Sequence, residues 1–193
     1  MHLDILNHGY RPGTKLMFAL IRLFSGRPLP DAAKLTFYRS DFYGNPAKEF
    51  THEALRGPSE WSVGDRELMA AYVAKLNQSA FCVGAHTATA SLAYQDGPRV
   101  AAILDDLESA SIDEPLRATL RMLGKLIRNG RVDGNDVREV LAAGVSPQQV
   151  KDALAVCTAF NTTSRLADAF GFELLTPKGY EAGAKYLLKR GYR

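Results

Sequence analysis

The chain is poor in cysteine, with 2 in 193 residues, and it contains a single tryptophan. Two cysteines cannot form a disulfide framework, and no CxxC pair or Cys/His group at zinc spacing accompanies them. No metal site is expected, and His2, His8 and His52 read as surface residues because nothing pairs them at ligand spacing. Long apolar runs are also missing. The longest near the N-terminus, Leu16 to Phe24, is interrupted by Arg22 and reaches half of the roughly 20 residues that span a bilayer. No basic start with a small-residue cleavage site marks a signal peptide. An excess of one charge is absent too: 24 Lys+Arg against 21 Asp+Glu leaves +3. That balance is too small and too dispersed for a nucleic-acid partner. These absences lead to the expectation of a reduced, intracellular, cytoplasmic protein with neither a membrane nor a nucleic acid as partner.

What is present is helical. Hydrophobic residues at 46% and charged residues at 23% are ordinary for a globular chain and exclude disorder. Period-two runs of β-branched and aromatic residues never persist, whereas apolar residues recur at spacings of three and four. Breakers separate these segments at Gly26–Pro30, Gly44–Pro46, Gly57–Ser59, Asn77–Ser79, Asp96–Pro98, Asn129–Gly134, Gly144–Pro147 and Gly171–Pro177. The expected fold class is therefore all-α, in one domain over residues 28–193 with an N-terminal helical extension over residues 1–27. Leu16 to Phe24 is expected to form a short amphipathic helix packed against the rest.

Several helix starts carry capping chemistry. Ser146-Pro147-Gln148-Gln149 has an N-cap hydroxyl, a first-turn proline and a glutamine positioned to close a capping box. The helix it opens is expected to stop at Gly171. Thr176-Pro177 opens a last helix, and Ser62-Val63-Gly64-Asp65 opens the one that carries Glu67.

The stretch from Glu67 to His86 concentrates the reactive side chains. Ser79 is positioned to cap a helix whose third residue is Cys82, near unpaired N–H groups that lower a thiol's pKa. His86 follows one turn later and is suited to take the thiol proton. Glu67 completes a relay by orienting that imidazole, provided the chain reverses near Asn77–Ser79. A straight helix would instead hold Glu67 about 22 Å from Cys82 and break the relay.

The segments Gly57–Leu68 and Leu76–His86, continued by Ala159–Gly171, resemble the alkylhydroperoxidase AhpD-like, carboxymuconolactone decarboxylase superfamily, and most closely its peroxidase-related branch. The resemblance covers roughly residues 28–175. It implies an AhpD-like helical bundle in which a helix-turn-helix carries the Glu/Cys/His site, assembled as a homo-oligomer, a trimer or hexamer. By position Glu67 matches the relay glutamate, Cys82 the peroxide-attacking thiol and His86 the histidine. Ser79 stands where the family has its resolving cysteine, and a serine cannot form the local disulfide. Cys157, on an apolar helix, reads as a structural cysteine. The expected activity is a one-cysteine, antioxidant thiol peroxidase acting on a hydroperoxide, without a cofactor and with an external thiol as reductant.

Two alternatives stand beside this. In a lyase of the decarboxylase type, His86 and Glu67 would do acid–base work on a small carboxylated lactone whose carboxylate pairs with Arg66 or Arg165. In a non-catalytic helical oligomer the site would have decayed with the loss of its second thiol. Under every reading Arg165 and Asp168 form an ion pair on one helix face, and Asn161 satisfies backbone at a subunit boundary. Tyr72 and Phe81 read first as core residues and second as pocket lining.

Overall fold

Proline and glycine punctuation divides the chain into eleven α-helices and one π-helical turn, without a strand, in a computed structural model that describes residues 1–193. The helices are α1 (Ile5–His8), α2 (Pro12–Ser25), α3 (Asp31–Tyr38), α4 (Asn45–Arg56), α5 (Val63–Leu76), α6 (Ala80–Tyr94), α7 (Gly97–Asp105), α8 (Glu114–Asn129), α9 (Gly134–Ala142), α10 (Pro147–Phe170) and α11 (Pro177–Arg190). The π-helical turn, Ser40–Gly44, joins α3 to α4. No helix is long and apolar enough to cross a membrane.

Helix α5 is the central element. Its residues from Arg66 to Ala74 are all buried, and a helix buried all round must be surrounded by others. The expected caps hold it in place: Ser62 and Asp65 close a reciprocal capping box, as do Ser146 and Gln149 at the start of α10. Helix α10 ends at Gly171, and Thr176 caps α11.

The reversal that the relay requires is a Schellman turn. Ser79 N–H closes on the Ala74 carbonyl, and Gln78 N–H on that of Lys75. Gln78 occupies the left-handed region at φ +60°, a position more often filled by glycine. Helix α6 thereby returns along α5. Its other side meets α11, and Gly84 permits that approach. A Cβ there would lie 2.5 Å from the Tyr180 ring.

The apolar residues form two separate clusters. The larger includes Leu55, Leu68, Met69, Val73, Ile103, Leu120, Leu123 and Phe160, and it contains Cys157. The smaller gathers Leu6, Leu35, Ala74, Phe81, Ala167 and Phe172 around Cys82. Tyr72 and Phe81 are both buried core residues. The first residues belong to the smaller cluster: Leu6 is buried there, and His2 N–H donates to the Phe170 carbonyl at 2.6 Å.

The N-terminal amphipathic helix forms, with a correction. Helix α2 turns Phe18 inward against Tyr10 and Phe37, but no residue of α2 is fully buried. Leu16, Leu20, Leu23 and Phe24 face outward, with Phe24 84% exposed. The apolar residues outnumber the positions that one packed face provides, so a second face remains uncovered.

Candidate active site

Glu67 is the anchor of the site. It sits in the second turn of α5, is 0% exposed, and receives three hydrogen bonds. Its Oε2 pairs with His86 Nδ1 at 2.8 Å, while Oε1 accepts from Arg56 Nη2 at 2.6 Å and from Tyr192 Oη at 2.8 Å. Burial alone would raise this carboxyl. The contacts with His86 and Arg56 outweigh it and hold Glu67 below the ordinary carboxylate range. An ionised acceptor requires the imidazole to donate, so His86 carries its proton on Nδ1. Its Nε2 makes no hydrogen bond within the chain. The ring is fixed between Phe160, with centroids 4.2 Å apart, and the stacked Tyr192.

Arg56 and Tyr192 are site residues that the sequence did not disclose. Arg56 ends α4, and its guanidinium lies 5.2 Å above the Tyr192 ring while also donating to the Leu187 carbonyl. Tyr192 reaches the site because Gly191 turns the chain back at φ +71° and ψ −150°, a conformation that disfavours a side chain. The Tyr192 N–H then donates to His52 Nδ1 at 3.2 Å. His52 is therefore not a free surface residue: it stands one turn before Arg56 on α4 and holds the same tail. Burial first, and then the charge of Glu67, push the Tyr192 phenol well above its ordinary value, so it remains a proton donor. His2 and His8 are exposed as expected.

At the other end of the motif stands Cys82, the third residue of α6 as expected, only 1% exposed. Its chemistry departs from expectation. Burial pushes the thiol up, and the hydroxyls of Ser79 and Ser164 beside the sulfur bring it only part of the way back. Burial in the smaller apolar cluster, with Leu6, Leu35 and Phe172, takes the sulfur out of water and disfavours its thiolate. No hydrogen bond links Cys82 to His86, whose one partner is Glu67. The structure thus brings Glu67 and His86 into direct contact and leaves Cys82 one turn away in its own compartment.

Ser79 occupies the N-cap of α6, but its hydroxyl caps nothing. It is fully buried and reaches across to α10, to Asp168 Oδ1 at 2.9 Å and the Ser164 carbonyl at 3.4 Å. This replaces the expected Arg165–Asp168 ion pair, since Asp168 is engaged by Ser79 and Arg165 is exposed. Asn161 is likewise turned to a side chain. Its Oδ1 accepts from Asn77 Nδ2 at 2.9 Å and so ties α10 to the α5–α6 turn. Arg66 is buried and donates to the Gly57 carbonyl at 2.8 Å, which removes it as a partner for a substrate carboxylate. Cys157 is buried in the larger cluster, and desolvation pushes its thiol up to about 11, as befits a structural cysteine.

No family profile matches the sequence, and no curated protein matches it. Solved structures do. An uncharacterized peroxidase-related protein from Silicibacter sp. TM1040 superposes with a TM-score of 0.78 over 93% of each chain, at 20% identity. A structure from Ralstonia eutropha JMP134, described as an alkylhydroperoxidase AhpD core and an uncharacterized peroxidase-related protein, matches with a TM-score of 0.73 at 17% identity. That match covers 91% of this chain and 92% of the other. Nearly the whole chain, with its central α5–α6 hairpin, has the all-helical AhpD-like fold of these peroxidase-related proteins.

Proposed function

We propose that the protein is a one-cysteine thiol peroxidase of the alkylhydroperoxidase type, with Cys82 as the oxidised atom and His86 and Glu67 as its proton relay. One observation carries this reading: the α5–α6 hairpin closes the Glu67–His86 pair at 2.8 Å with Cys82 one turn before the histidine. About 6 Å of helical rise separates residues 82 and 86, a gap that a bound hydroperoxide can bridge.

The chemistry then runs as a balanced exchange. The thiol proton passes to His86 Nε2, and Glu67 stabilises the imidazolium through Nδ1. The thiolate attacks the terminal peroxide oxygen, the O–O bond breaks, and the departing alkoxide takes the proton from Nε2. The products are an alcohol and Cys82 sulfenic acid. Ser79 cannot resolve this species, and Cys157 lies in the other cluster. An external thiol therefore attacks the sulfenic acid, releasing water and leaving a mixed disulfide, and a second thiol frees Cys82. Such a reductant suits a reducing compartment such as the cytoplasm. The apolar walls around the sulfur favour organic hydroperoxides.

A second reading has a specific observation behind it. The Glu67–His86 pair is fully assembled while Cys82 is closed off, the arrangement that an acid–base lyase would need without any thiol. Single-turnover oxidation with cumene hydroperoxide, a sulfenic-acid trap and intact mass separates the two. The peroxidase reading expects selective trapping at Cys82, lost in Glu67→Gln and His86→Ala, with Cys157 unmodified. Trapping no faster than at an ordinary thiol, together with Cys82→Ser turnover of a carboxylated lactone, would establish the lyase instead.

The uncovered face of α2 supports assembly into a homo-oligomer, with Leu16, Leu20, Leu23 and Phe24 as the contact. Light scattering of Leu23→Glu should show a smaller particle than the parent chain. An unchanged mass would remove this face from the interface.

A further inference from the structure

Residues 191–193 reach the site through a clamp made by one face of α4. Glu49, His52 and Arg56 follow one another at spacings of three and four and so share that face. Glu49 Oε2 pairs with Arg193 Nε at 2.9 Å, and His52 Nδ1 accepts the Tyr192 N–H at 3.2 Å. Arg56 lies over the Tyr192 ring and donates to the Leu187 carbonyl in the last turn of α11. Gly191 fits between these groups, since a Cβ there would stand 2.6 Å from the His52 ring.

The clamp delivers one hydroxyl to a carboxylate whose orientation needs fixing. The terminal torsion of a glutamate is broad and roughly two-fold, so a single partner leaves the two oxygens interchangeable. Each oxygen can accept two hydrogen bonds near the carboxylate plane. At Oε1 both places are filled, by Arg56 Nη2 at 2.6 Å and Tyr192 Oη at 2.8 Å. His86 Nδ1 therefore meets Oε2 alone. The phenol has no other acceptor, and its ring lies at 17° to the imidazole with centroids 6.4 Å apart.

We infer that Tyr192 is the positioning residue of the Glu67–His86 pair: its O–H fills the second lone pair of Oε1, fixes the carboxylate plane, and takes up part of the charge that would otherwise bind the imidazolium proton. Without the phenol, Glu67 has one donor fewer to share its charge, and the pair holds that proton more tightly. For turnover this matters where Nε2 gives its proton to the departing alkoxide, a consequence that rests on the peroxidase reading. The hold on the histidine does not depend on it.

Tyr192→Phe removes the hydroxyl and keeps the ring, whereas Tyr192→Leu removes both. Imidazole 15N shifts followed against pH, with His86 assigned by comparison with His86→Ala, read the proton held by the pair. In Tyr192→Phe the His86 titration should move upward by about half a pH unit, the scale of one hydrogen bond. Tyr192→Leu should move it at least as far, while the curves of His2 and His8 stay as in the parent. Single-turnover oxidation of Cys82 by cumene hydroperoxide should slow severalfold in both variants. An unchanged or lowered His86 titration in Tyr192→Phe would overturn the inference. A shift seen in Tyr192→Leu alone would likewise overturn it, by placing the effect in the ring and making the tyrosine structural. If the His86 titration responds to Tyr192→Phe while parent Cys82 resists the peroxide, the peroxidase reading fails and the positioning role stands.

Discussion

The two ends of the α5–α6 hairpin solve opposite problems. At one end Glu67, fully buried, has every strong partner it can use: a guanidinium, an imidazole and a phenol. At the other, Cys82 is equally buried but surrounded by leucines and phenylalanines, with one serine committed elsewhere and another unpartnered. The same depth therefore yields a carboxyl held below its usual range and a thiol pushed above its own. Burial does not set the chemistry of a group; the partners that accompany it do.

Removing a partner from the carboxylate end should have the largest effect. Arg56→Ala leaves Glu67 charged and buried with its main cation gone, and is expected to cost about 3–5 kcal/mol in urea unfolding. A loss well under 1 kcal/mol would mean that water reaches Glu67 and that the contrast between the ends is overstated. Acid should erode the same end. Because the folded pKa of Glu67 is depressed, its contribution is complete above the unfolded glutamate value of about 4.3. It is lost as pH falls through the lower folded value. The stability difference between the parent and Glu67→Gln should shrink across that acid range, and a difference independent of pH would contradict it.

Opening the thiol end should be milder in stability and larger in reactivity. Leu6→Ala is expected to cost about 2 kcal/mol and to speed alkylation of Cys82 at least severalfold, with Cys157 unchanged. Equal acceleration of both cysteines would indicate global loosening rather than a wall removed from one compartment. Ser79→Ala should be smallest, at about 1 kcal/mol for the bond to Asp168, read from the thermal midpoint. A gain in stability would show that this hydroxyl was poorly matched.

The parts of the site that were legible in the sequence are the parts built locally. Capping residues marked the starts of α5 and α10, and the Asn77–Ser79 break marked the reversal that makes Glu67 and His86 meet. Arg56 and Tyr192 were not legible, because an arginine at a helix end and a tyrosine in a basic tail have no periodic signature. Their meaning comes from the path of α11 and from Gly191. The thiol was misjudged for a related reason. The helix N-terminus that would lower its pKa is written beside it, whereas the cluster that buries it draws on residues as distant in sequence as Leu6, Leu35 and Phe172. Ser79 and Asp168 show the same limit, since helix spacing offered Asp168 an arginine three residues away while the fold offered a buried hydroxyl.

The Schellman turn also bears on the order in which the site assembles during folding. Glu67 and His86 are 19 residues apart, whereas Glu67 and Tyr192 are separated by 125. By loop length alone, the second closure costs about 1.7 kcal/mol more than the first. The carboxylate and imidazole can thus meet within a hairpin that needs little of the remaining chain, and the phenol arrives only once α11 has docked. The carboxylate's contacts with Arg56 and His86 are local closures, and the one with Tyr192 is long-range.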